Sequence, residues 1–387
     1  MSLRLAIVAG EESGDLLGAD LVAALKASGQ DVTLTGVGGA HLQAEGLVTL
    51  FDPAEIALMG LSAIVRSLPR LMRRIRQTAA AILAAKPDVL VIIDSPEFTH
   101  RVAKRVRAAD PSIRIVNYVC PSVWAWRPER APAMRAYVDL VLCLLPFEPA
   151  ELARLGGPDG VYVGHRLAND PGLLAARAEN QRRAKEGRGL PRQLLVLPGS
   201  RRSEVRGLLA PFGKTIAELM ARGNHFDVTI PTVAHVRVLV EEGVRDWSIK
   251  PAIVSGPDEK WRAFGQADAA LAASGTVTLE LALAGVPMVS AYKTDLLFRL
   301  IEHKITLWTA SLPNIIADRV IVPEYINAYV RPGNMARVLE QLMTDGPVRA
   351  AQMDGFAEIT RRMAVPRPSG DLAAAAVLGK QPIANSK

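Results

Sequence analysis

The stretch ASGTVTLELALAGVPMV, from Ala273 to Val289, decides how this chain is expected to fold. An apolar run ends in Ser-Gly-Thr, a helix-forming segment follows as far as Gly285, and a second apolar run comes after it. Small hydroxyl residues are typical of helix N-termini, and glycine commonly follows the last turn of a helix. The stretch therefore predicts the βαβ unit of a parallel sheet. Asp268 and Glu280 leave too few uninterrupted apolar residues for a membrane span, which needs about 20.

The same alternation of short apolar runs with longer helix-like segments occurs twice along the chain. The first series of predicted strands lies at 4–9, 31–37, 88–94, 113–119, 139–145 and 160–164, and the second at 193–199, 225–231, 251–256, 267–273 and 286–292. A polar stretch over 175–188 separates the two series. The sequence thus predicts an α/β fold of two Rossmann-like domains, residues 1–168 and 169–345. C-terminal helices and a tail over 346–387 are expected to pack back across the junction.

Length and composition agree with a two-domain cytosolic protein. The chain has 387 residues, of which 49% are hydrophobic and 22% charged, as in ordinary globular proteins. Its two cysteines, Cys120 and Cys143, fall in apolar strand-like runs, which favours reduced thiols in the core. The apolar run at the N-terminus is too short for a signal peptide and passes directly into a glycine-containing turn.

A net charge of +7 indicates an anionic partner, and its distribution suggests which one. Residues 56–87 contain no acidic side chain, and basic and apolar residues alternate there. The predicted membrane-contact residues in this segment are Arg66, Leu68, Leu71, Met72, Arg73, Arg74 and Ile75. Such a segment can lie on an anionic bilayer, but a surface helix with its apolar stripe against the core is an equal alternative. No zinc-finger spacing or RNA-binding signature is present, which argues against nucleic acid.

Loops after the strands carry the candidate chemistry, because ligands of doubly wound sheets bind at the carboxyl ends of the strands. The first strand runs into a turn that contains Ser13 and Gly14, which suits an anion and equally suits a plain tight turn. Asp94 follows the apolar run VLVII, where a carboxylate either caps the next helix or serves as a general base.

Two loops of the second half combine features that suit a nucleoside diphosphate. In LPGSRRSEV, Ser200 and Arg201 stand between a strand and a helix, so a Gly-Ser turn, guanidinium groups and a helix N-terminus converge. In the opening stretch, the amides of residues 274–276 would face phosphate, and Glu280 could accept both hydroxyls of a ribose. The alternatives are solvent-facing arginines and a capped core helix with an exposed glutamate.

The motifs, taken in order, resemble those of the lipid-A-disaccharide synthase family, which has the glycosyltransferase-B architecture. The matching motifs from residue 9 to residue 314 are VAGEESGD, MGL, IDSPEF, PSVWAWR, LPFE, VGH, LPGSR followed by EV, ASGTVTLE and SLPN. Glu97 departs from the family pattern, in which an Asp is common at this position. The resemblance implies two Rossmann-like domains that face each other across a cleft, with the nucleotide sugar held by the second.

The resemblance further implies an inverting transfer of 2,3-diacylglucosamine from its UDP derivative to the 6-hydroxyl of 2,3-diacylglucosamine 1-phosphate. It makes Asp94 the candidate general base and Arg201 the group that neutralises the departing diphosphate. The residues expected to hold UDP are Ser200, Arg201, Ser274, Gly275, Thr276, Glu280 and Asn314. The residues expected near the acceptor are Glu12, Ser13, Gly14, Trp124 and Trp126, with packing as an equal alternative for the two tryptophans. No cofactor or metal is implied.

Acylated substrates imply an enzyme on the inner face of the cytoplasmic membrane, and a homodimer is an open alternative to a monomer. His165 is expected to order the connection between the domains. Two other functions stay open: a UDP-N-acetylglucosamine 2-epimerase, which would share the fold, and a nucleotide-binding membrane scaffold without turnover. A dehydrogenase is disfavoured because the chain has no complete dinucleotide fingerprint.

Overall fold

The computed structural model describes residues 2–57, 64–294 and 307–380. The chain divides into two compact units. The first comprises Met1–Arg166 together with Val365–Lys387, and the second comprises Leu167–Ala364. The segment 346–387, predicted as a third region, is therefore shared between the two units.

The first unit is a parallel sheet with helices on both faces. Its strands are β1 (Ser2–Ala9), β2 (Asp31–Val37), β3 (Val89–Ile93), β4 (Arg114–Tyr118), β5 (Leu140–Cys143) and β6 (Asp159–Tyr162). Its helices are α1 (Glu12–Ala27), α2 (Ala40–Ala44), α3 (Ala54–Ala57), α4 (Ile64–Ala85), α5 (Pro96–Ala109), α6 (Arg130–Met134), α7 (Glu148–Arg154) and the C-terminal helix Ser369–Val377. The strand order is β2-β1-β3-β4-β5-β6.

Alternate residues of each central strand enter two separate cores. In β3, Leu90 and Ile92 pack in one apolar cluster with α4 and α5, whereas Val91 and Ile93 pack in the other with α1. A sheet buried on both faces needs continuous apolar strands, which is why VLVII carries no polar residue. Leu372 and Val377 of the C-terminal helix belong to the second cluster, so the predicted packing of a C-terminal helix on the N-terminal domain is confirmed.

The second unit repeats the design. Its strands are β7 (Arg192–Leu197), β8 (Phe226–Thr232), β9 (Ala252–Ser255), β10 (Ala269–Ala273), β11 (Met288–Tyr292) and β12 (Glu324–Ile326). Its helices are α8 (Pro171–Glu186), α9 (Arg202–Ala221), α10 (Ala234–Gly243), α11 (Pro257–Gln266), α12 (Thr276–Ala284), Leu312–Ala317, Pro332–Met343 and Pro347–Met363. Short 3₁₀ helices occupy Arg166–Asn169 and Asn327–Tyr329. All strands pair in parallel in the order β12-β11-β10-β7-β8-β9.

The opening stretch folds as predicted, into β10, α12 and β11. Gly285 adopts the left-handed conformation, with φ of 75°, at the C-terminus of α12, which glycine reaches without steric cost. All eleven predicted strands are present, and β12 was missed because three residues with no apolar alternation give no strand signal.

Helix α4 corrects the membrane prediction for several residues. Leu71 and Ile75 are buried in the core of the first unit, with Met72 packed against it, so the apolar stripe faces inward. The Arg74 guanidinium pairs with Glu55 at 2.6 Å, is only 17% exposed, and is therefore committed within the protein.

Leu68, Arg70 and Arg73 of α4 remain exposed, while the side chain of Arg66 lies outside the described part of the chain. Among the described residues, no helix combines the length and apolar content that a membrane span requires.

Candidate active site

A cavity of about 700 Å³ lies within the second unit, at the carboxyl ends of β7 to β10. Its walls include residues from the loops after all four of these strands. The predicted nucleotide-site residues that line this cavity are Ser200, Arg201, Ser274, Gly275, Thr276 and Glu280. The structure thus brings together side chains that are up to 80 positions apart in sequence, and the volume suits a small organic ligand.

Glu204 holds the loop before α9 in place through hydrogen bonds. The Glu204 carboxylate accepts hydrogen bonds from the Ser200 and Arg201 amides at 3.1 and 3.2 Å, and the Arg201 guanidinium donates to it at 3.0 Å. Gly199 is required here, because its φ is 111° and a Cβ atom would lie 2.5 Å from Glu204 Oε2. His235 Nε2 lies 2.8 Å from the Ser200 carbonyl oxygen and ties α10 to the same loop.

Arg201 keeps a solvent-accessible cation at the cavity wall. Its side chain is 77% exposed, and Glu204 takes one of the five N–H donors of the guanidinium. An exposed ion pair of this kind contributes at most about 1 kcal/mol. Arg201 can therefore turn to an anionic ligand at little cost.

The N-terminus of α12 differs from that of α9, because no side chain caps it. Gly275 is the N-cap residue, with φ of 152°, and the first N–H groups of a helix have no partner within the helix. These amides lie where Gly275 and Thr276 line the cavity, and together with the helix dipole they suit an anionic ligand.

Glu280 lies one turn into α12 and is 13% exposed. Its Oε2 is 2.6 Å from Lys260 Nζ of α11, and both residues line the cavity. No sequence pattern marks this partner, because 20 positions and a whole strand separate the two residues.

Asn314 lies away from the cavity walls, in the interior of the second unit. Its amide nitrogen donates to Thr309 Oγ1 and to the Val322 carbonyl, and its Oδ1 accepts from the Ile321 and Val322 amides. Direct contact with a nucleotide would break these bonds, so the observed role of Asn314 is to join the segments on either side of it.

Glu324 organises the loop next to Ser274. Its carboxylate accepts from Ser274 Oγ at 3.2 Å, from Thr309 Oγ1 at 2.9 Å and from the Ala310 amide at 3.1 Å. Sequence reasoning missed Glu324, because it lies on the short strand β12. The SLPN motif therefore bears on the site through this network.

In the first unit, Asp94 stands directly after β3 in a strained conformation. Asp94 and Ser95 have φ of 49° and 44°, in the left-handed region that few non-glycine residues adopt. The Asp94 side chain is half-buried, its Oδ1 accepts from the Ser95 amide at 2.8 Å, and its carbonyl accepts from Thr99 Oγ1 at 2.7 Å. Strain of this kind costs about 1–3 kcal/mol and is concentrated at functional sites.

The glycine-containing turn after β1 packs against the Asp94 loop, because β1 and β3 are neighbours in the sheet. A Cβ atom on Gly10 would lie 2.7 Å from Ser95 Oγ, and one on Gly14 would lie 3.2 Å from Ile93 Cγ2. Glu12 and Ser13 are exposed at the start of α1. The predicted acceptor-side residues of α1 and the candidate base thus share one edge of the sheet.

The amino-acid sequence of the chain matches a known family. A sequence model described as lipid-A-disaccharide synthetase matches residues 5–368. The chain belongs to the lipid-A-disaccharide synthase family. It is accordingly a glycosyltransferase.

Relatives within the family are similar over nearly their whole length. The lipid-A-disaccharide synthase of Rhodopseudomonas palustris strain HaA2 is 52% identical over 360 residues, which cover 92% of this chain and 90% of that protein. The protein of the same name from strain BisB18 is 47% identical over 384 residues, covering 98% and 96%.

Solved structures with the same fold are more distant in sequence. The glycotransferase of kitacinnamycin superposes with a TM-score of 0.61 at 17% identity, covering 98% of this chain and all of that one. MurG of Acinetobacter baumannii gives 0.58 at 14% identity, covering 96% and 97%. These likenesses confirm the fold class, α/β with two Rossmann-like units as in the glycosyltransferase-B enzymes.

The motifs PSVWAWR and LPFE of the lipid-A-disaccharide synthase family meet in the first unit. Trp124 Nε1 donates to Glu148 Oε1 at 3.3 Å, and its ring lies edge-on to Phe147 with centroids 5.1 Å apart. Trp126 has the Arg127 guanidinium over its ring at 5.1 Å. Trp124 is therefore fixed by packing within its own unit.

Glu148 is a buried carboxylate whose contact with Trp124 the sequence did not reveal. Its Oε2 accepts from the Leu144 and Leu145 amides at 2.9 and 3.0 Å. Burial raises the pKa of Glu148 to about 7, against the lowering effect of these hydrogen bonds. Burial likewise lowers the pKa of His165, at the end of the first unit, to about 4, which keeps its ring neutral at pH 7.

One group among the described residues has the chemistry of a metal site. Cys120, Cys143 and Glu148 are all buried, and their ligand atoms lie within 4.8 Å of one another. Three N–H donors already occupy the Glu148 carboxylate, and the thiols pack in the core. The cluster therefore belongs to the packing of β5 and α7 against the loop after β4.

Proposed function

We propose that this chain transfers 2,3-diacylglucosamine from its UDP derivative to the 6-hydroxyl of 2,3-diacylglucosamine 1-phosphate. The products are a β-1′,6-linked disaccharide 1-phosphate and UDP. The observation that supports this proposal most is the convergence on one cavity of six residues, five of them polar, that the sequence predicts to hold UDP. Membership of the family supplies the substrate class.

UDP would bind in the cavity of the second unit. The uncapped amides of α12 and the exposed Arg201 guanidinium supply the positive charge that a diphosphate requires. Glu280 supplies the acceptor for the ribose hydroxyls. The loop at Ser200 would help only if Glu204 released its two amides, so α12 provides the primary phosphate contact.

Asp94 would act as the general base. The Ser95 amide orients its carboxylate, which accepts the proton of the 6-hydroxyl as that oxygen attacks the anomeric carbon. The bond from the anomeric carbon to the diphosphate oxygen breaks, and its electron pair leaves with UDP. Arg201 and the α12 amides stabilise this charge, and attack from the opposite face inverts the configuration.

No metal ion is needed in this scheme, because the Arg201 guanidinium and the N-terminus of α12 supply the positive charge that a metal ion would otherwise provide. Activity that persists at full rate in excess EDTA supports this part of the proposal. Loss of activity in EDTA that returns with a divalent ion would contradict it.

Acylated substrates require work at a lipid surface, and we infer that the enzyme acts at the inner face of the cytoplasmic membrane. The exposed residues Leu68, Arg70 and Arg73 would form the docking face on α4. Arg70 lies 3.7 Å from Glu55 but is 62% exposed, so its charge stays open to solvent. Leu71, Arg74 and Ile75 are committed to the first unit and form no part of this face. A homodimer stays a prediction.

The test is a product assay. The purified chain is incubated with UDP-2,3-diacylglucosamine and 2,3-diacylglucosamine 1-phosphate, and the products are analysed by mass spectrometry. We expect the disaccharide 1-phosphate and one UDP for each disaccharide formed. Release of UDP without disaccharide, or epimerised nucleotide sugar as the product, would contradict the proposal.

A further inference from the structure

Lys260 and Glu280 form an ion pair in the cavity wall, and the reaction above gives Lys260 no role. The Lys260 Nζ atom lies 2.6 Å from Glu280 Oε2, and the two side chains are 29% and 13% exposed. The contact joins α11 to α12 beside the candidate phosphate site. Because both groups are largely shielded from solvent, salt screens the pair less than it would a surface pair.

Two aromatic rings fix the ammonium group from its other sides. Lys260 Nζ lies 4.4 Å from the centroid of Trp261 and 5.5 Å from that of Phe264, which is fully buried. The faces of aromatic rings attract cations. An ammonium group held by two rings and one carboxylate has few other positions, so it also fixes the orientation of that carboxylate.

The pair has two consequences for an anionic ligand in the cavity. A carboxylate offers about four acceptor positions, and Lys260 occupies one of them, which leaves others for a vicinal diol. The ammonium group also cancels the negative charge of Glu280, which would otherwise repel a diphosphate in the same cavity.

We propose that Lys260 is a positioning residue for the nucleotide. It holds the Glu280 carboxylate in the orientation that accepts the ribose hydroxyls and neutralises its charge, so that one cavity takes both a diol and a diphosphate. The inference rests on the proposed function, in which UDP occupies this cavity. Lys260 acts on ribose recognition through Glu280 and makes no contact with phosphate.

Calorimetric titration of the full chain with UDP, 2′-deoxy-UDP and uridine tests the proposal. Lys260→Met keeps the aliphatic stem and removes the charge, whereas Lys260→Arg keeps the charge. Arg262→Met is the matched control, since Arg262 lies on the same helix, is exposed, and is absent from the cavity walls. Circular dichroism confirms that each variant is folded.

We expect wild type to bind UDP at least about tenfold more tightly than 2′-deoxy-UDP, because a site built for a hydroxyl rejects the analogue without it. Lys260→Met should weaken UDP binding by about tenfold or more and reduce the preference for ribose to about threefold or less. Lys260→Arg should retain most of both, and Arg262→Met should match wild type.

Lys260→Met that binds all three ligands as wild type does would overturn the role of Lys260. So would a loss of UDP affinity with uridine affinity and ribose preference unchanged, which indicates direct phosphate contact. Wild type that fails to bind UDP would remove the proposed nucleotide site itself, and this inference with it. The Glu280→Ala variant separates the two failures. If it weakens UDP binding, the nucleotide site stands and only the role of Lys260 is overturned.

Discussion

The carboxyl edges of the two sheets differ in what their polar groups do. In the second unit, this edge surrounds a cavity of about 700 Å³, and the N-terminus of α12 has no cap. In the first unit, two carboxylates have partners within the unit: Trp124 and two amides donate to Glu148, and the Ser95 amide donates to Asp94. One edge thus leaves hydrogen-bonding groups open at a cavity, and the other holds its carboxylates by hydrogen bonds within the unit.

Under the proposed function, the difference assigns a separate task to each of the two edges. Unsatisfied helix amides and an exposed guanidinium gain hydrogen bonds when an anion arrives, so they favour binding. An oriented carboxylate accepts a hydrogen bond from a bound hydroxyl and takes its proton in the transition state, so we expect it to contribute mainly to the chemical step. The following variants separate these two contributions, in order of expected effect.

Asp94→Asn should affect chemistry alone. The amide keeps the size of the side chain but cannot take a proton, so we expect turnover to fall by at least about 10²-fold, the usual contribution of a general base. UDP affinity, measured by calorimetry, should stay within about twofold of wild type. Unchanged turnover would show that Asp94 is not the general base. The proposed division of binding and chemistry between the two sheet edges would then lose its support.

Arg201→Ala should affect both binding and chemistry, because its charge faces the diphosphate before and during departure. We expect turnover to fall by about 10²-fold, as for other groups that stabilise a leaving charge, with weaker UDP binding. Arg154→Ala is the control, as a comparably exposed arginine paired to a glutamate three residues away. Equal losses in the two variants would show that the effect is not specific to the cavity.

Glu148 tests the bracing of the first unit through pH. Its pKa of about 7 exceeds its ordinary value of 4.5, so between these pH values the folded chain keeps a proton that the unfolded chain has lost. The free energy of unfolding of wild type minus that of Glu148→Gln should therefore fall by roughly 3 kcal/mol from pH 4.5 to 7, at about 1.4 kcal/mol per pKa unit.

Denaturant unfolding over this pH range gives the measurement, and Glu151→Gln on the same helix is the control. The Glu148 difference is fully favourable below pH 4.5 and lost above pH 7, because desolvation penalises the charged form. A difference that stays flat would mean that burial leaves the pKa of Glu148 unshifted, and a difference that rises with pH would mean that folding lowers that pKa; either result contradicts the prediction.

Replacing Arg70 and Arg73 together by Ser should give the smallest effect. Each basic residue near an anionic surface contributes about 1 kcal/mol, so vesicle binding should weaken by about tenfold or more at low salt. Arg74→Ser serves as the contrast, since its guanidinium is bound to Glu55 and should affect stability more than membrane binding. Co-sedimentation with anionic vesicles measures this, and equal binding by all variants would leave α4 as an ordinary surface helix.

Sequence reasoning succeeded where local pattern determines structure. The alternation of apolar runs with helix-like segments predicted both sheets, because parallel strands buried on both faces must be apolar throughout. Placing candidate residues after strands then brought Ser200, Ser274 and Glu280 to one cavity, because the carboxyl ends of parallel strands share one edge.

Sequence reasoning failed where contacts cross elements. Lys260, Glu204 and Glu324 act on predicted residues through space, and no spacing along the chain marks them. The apolar stripe of α4 has the same period whether it faces a core or a membrane, so the pattern alone does not show that Leu71 faces the core. The predicted contact between Asn314 and UDP rests on the SLPN motif alone.

A crystal structure of the chain with UDP tests the proposed nucleotide site most directly. We expect the nucleotide in the cavity of the second unit, with the ribose hydroxyls on Glu280 and the diphosphate at the N-terminus of α12 beside Arg201. UDP bound at any other place, with this cavity filled only by solvent, would contradict it.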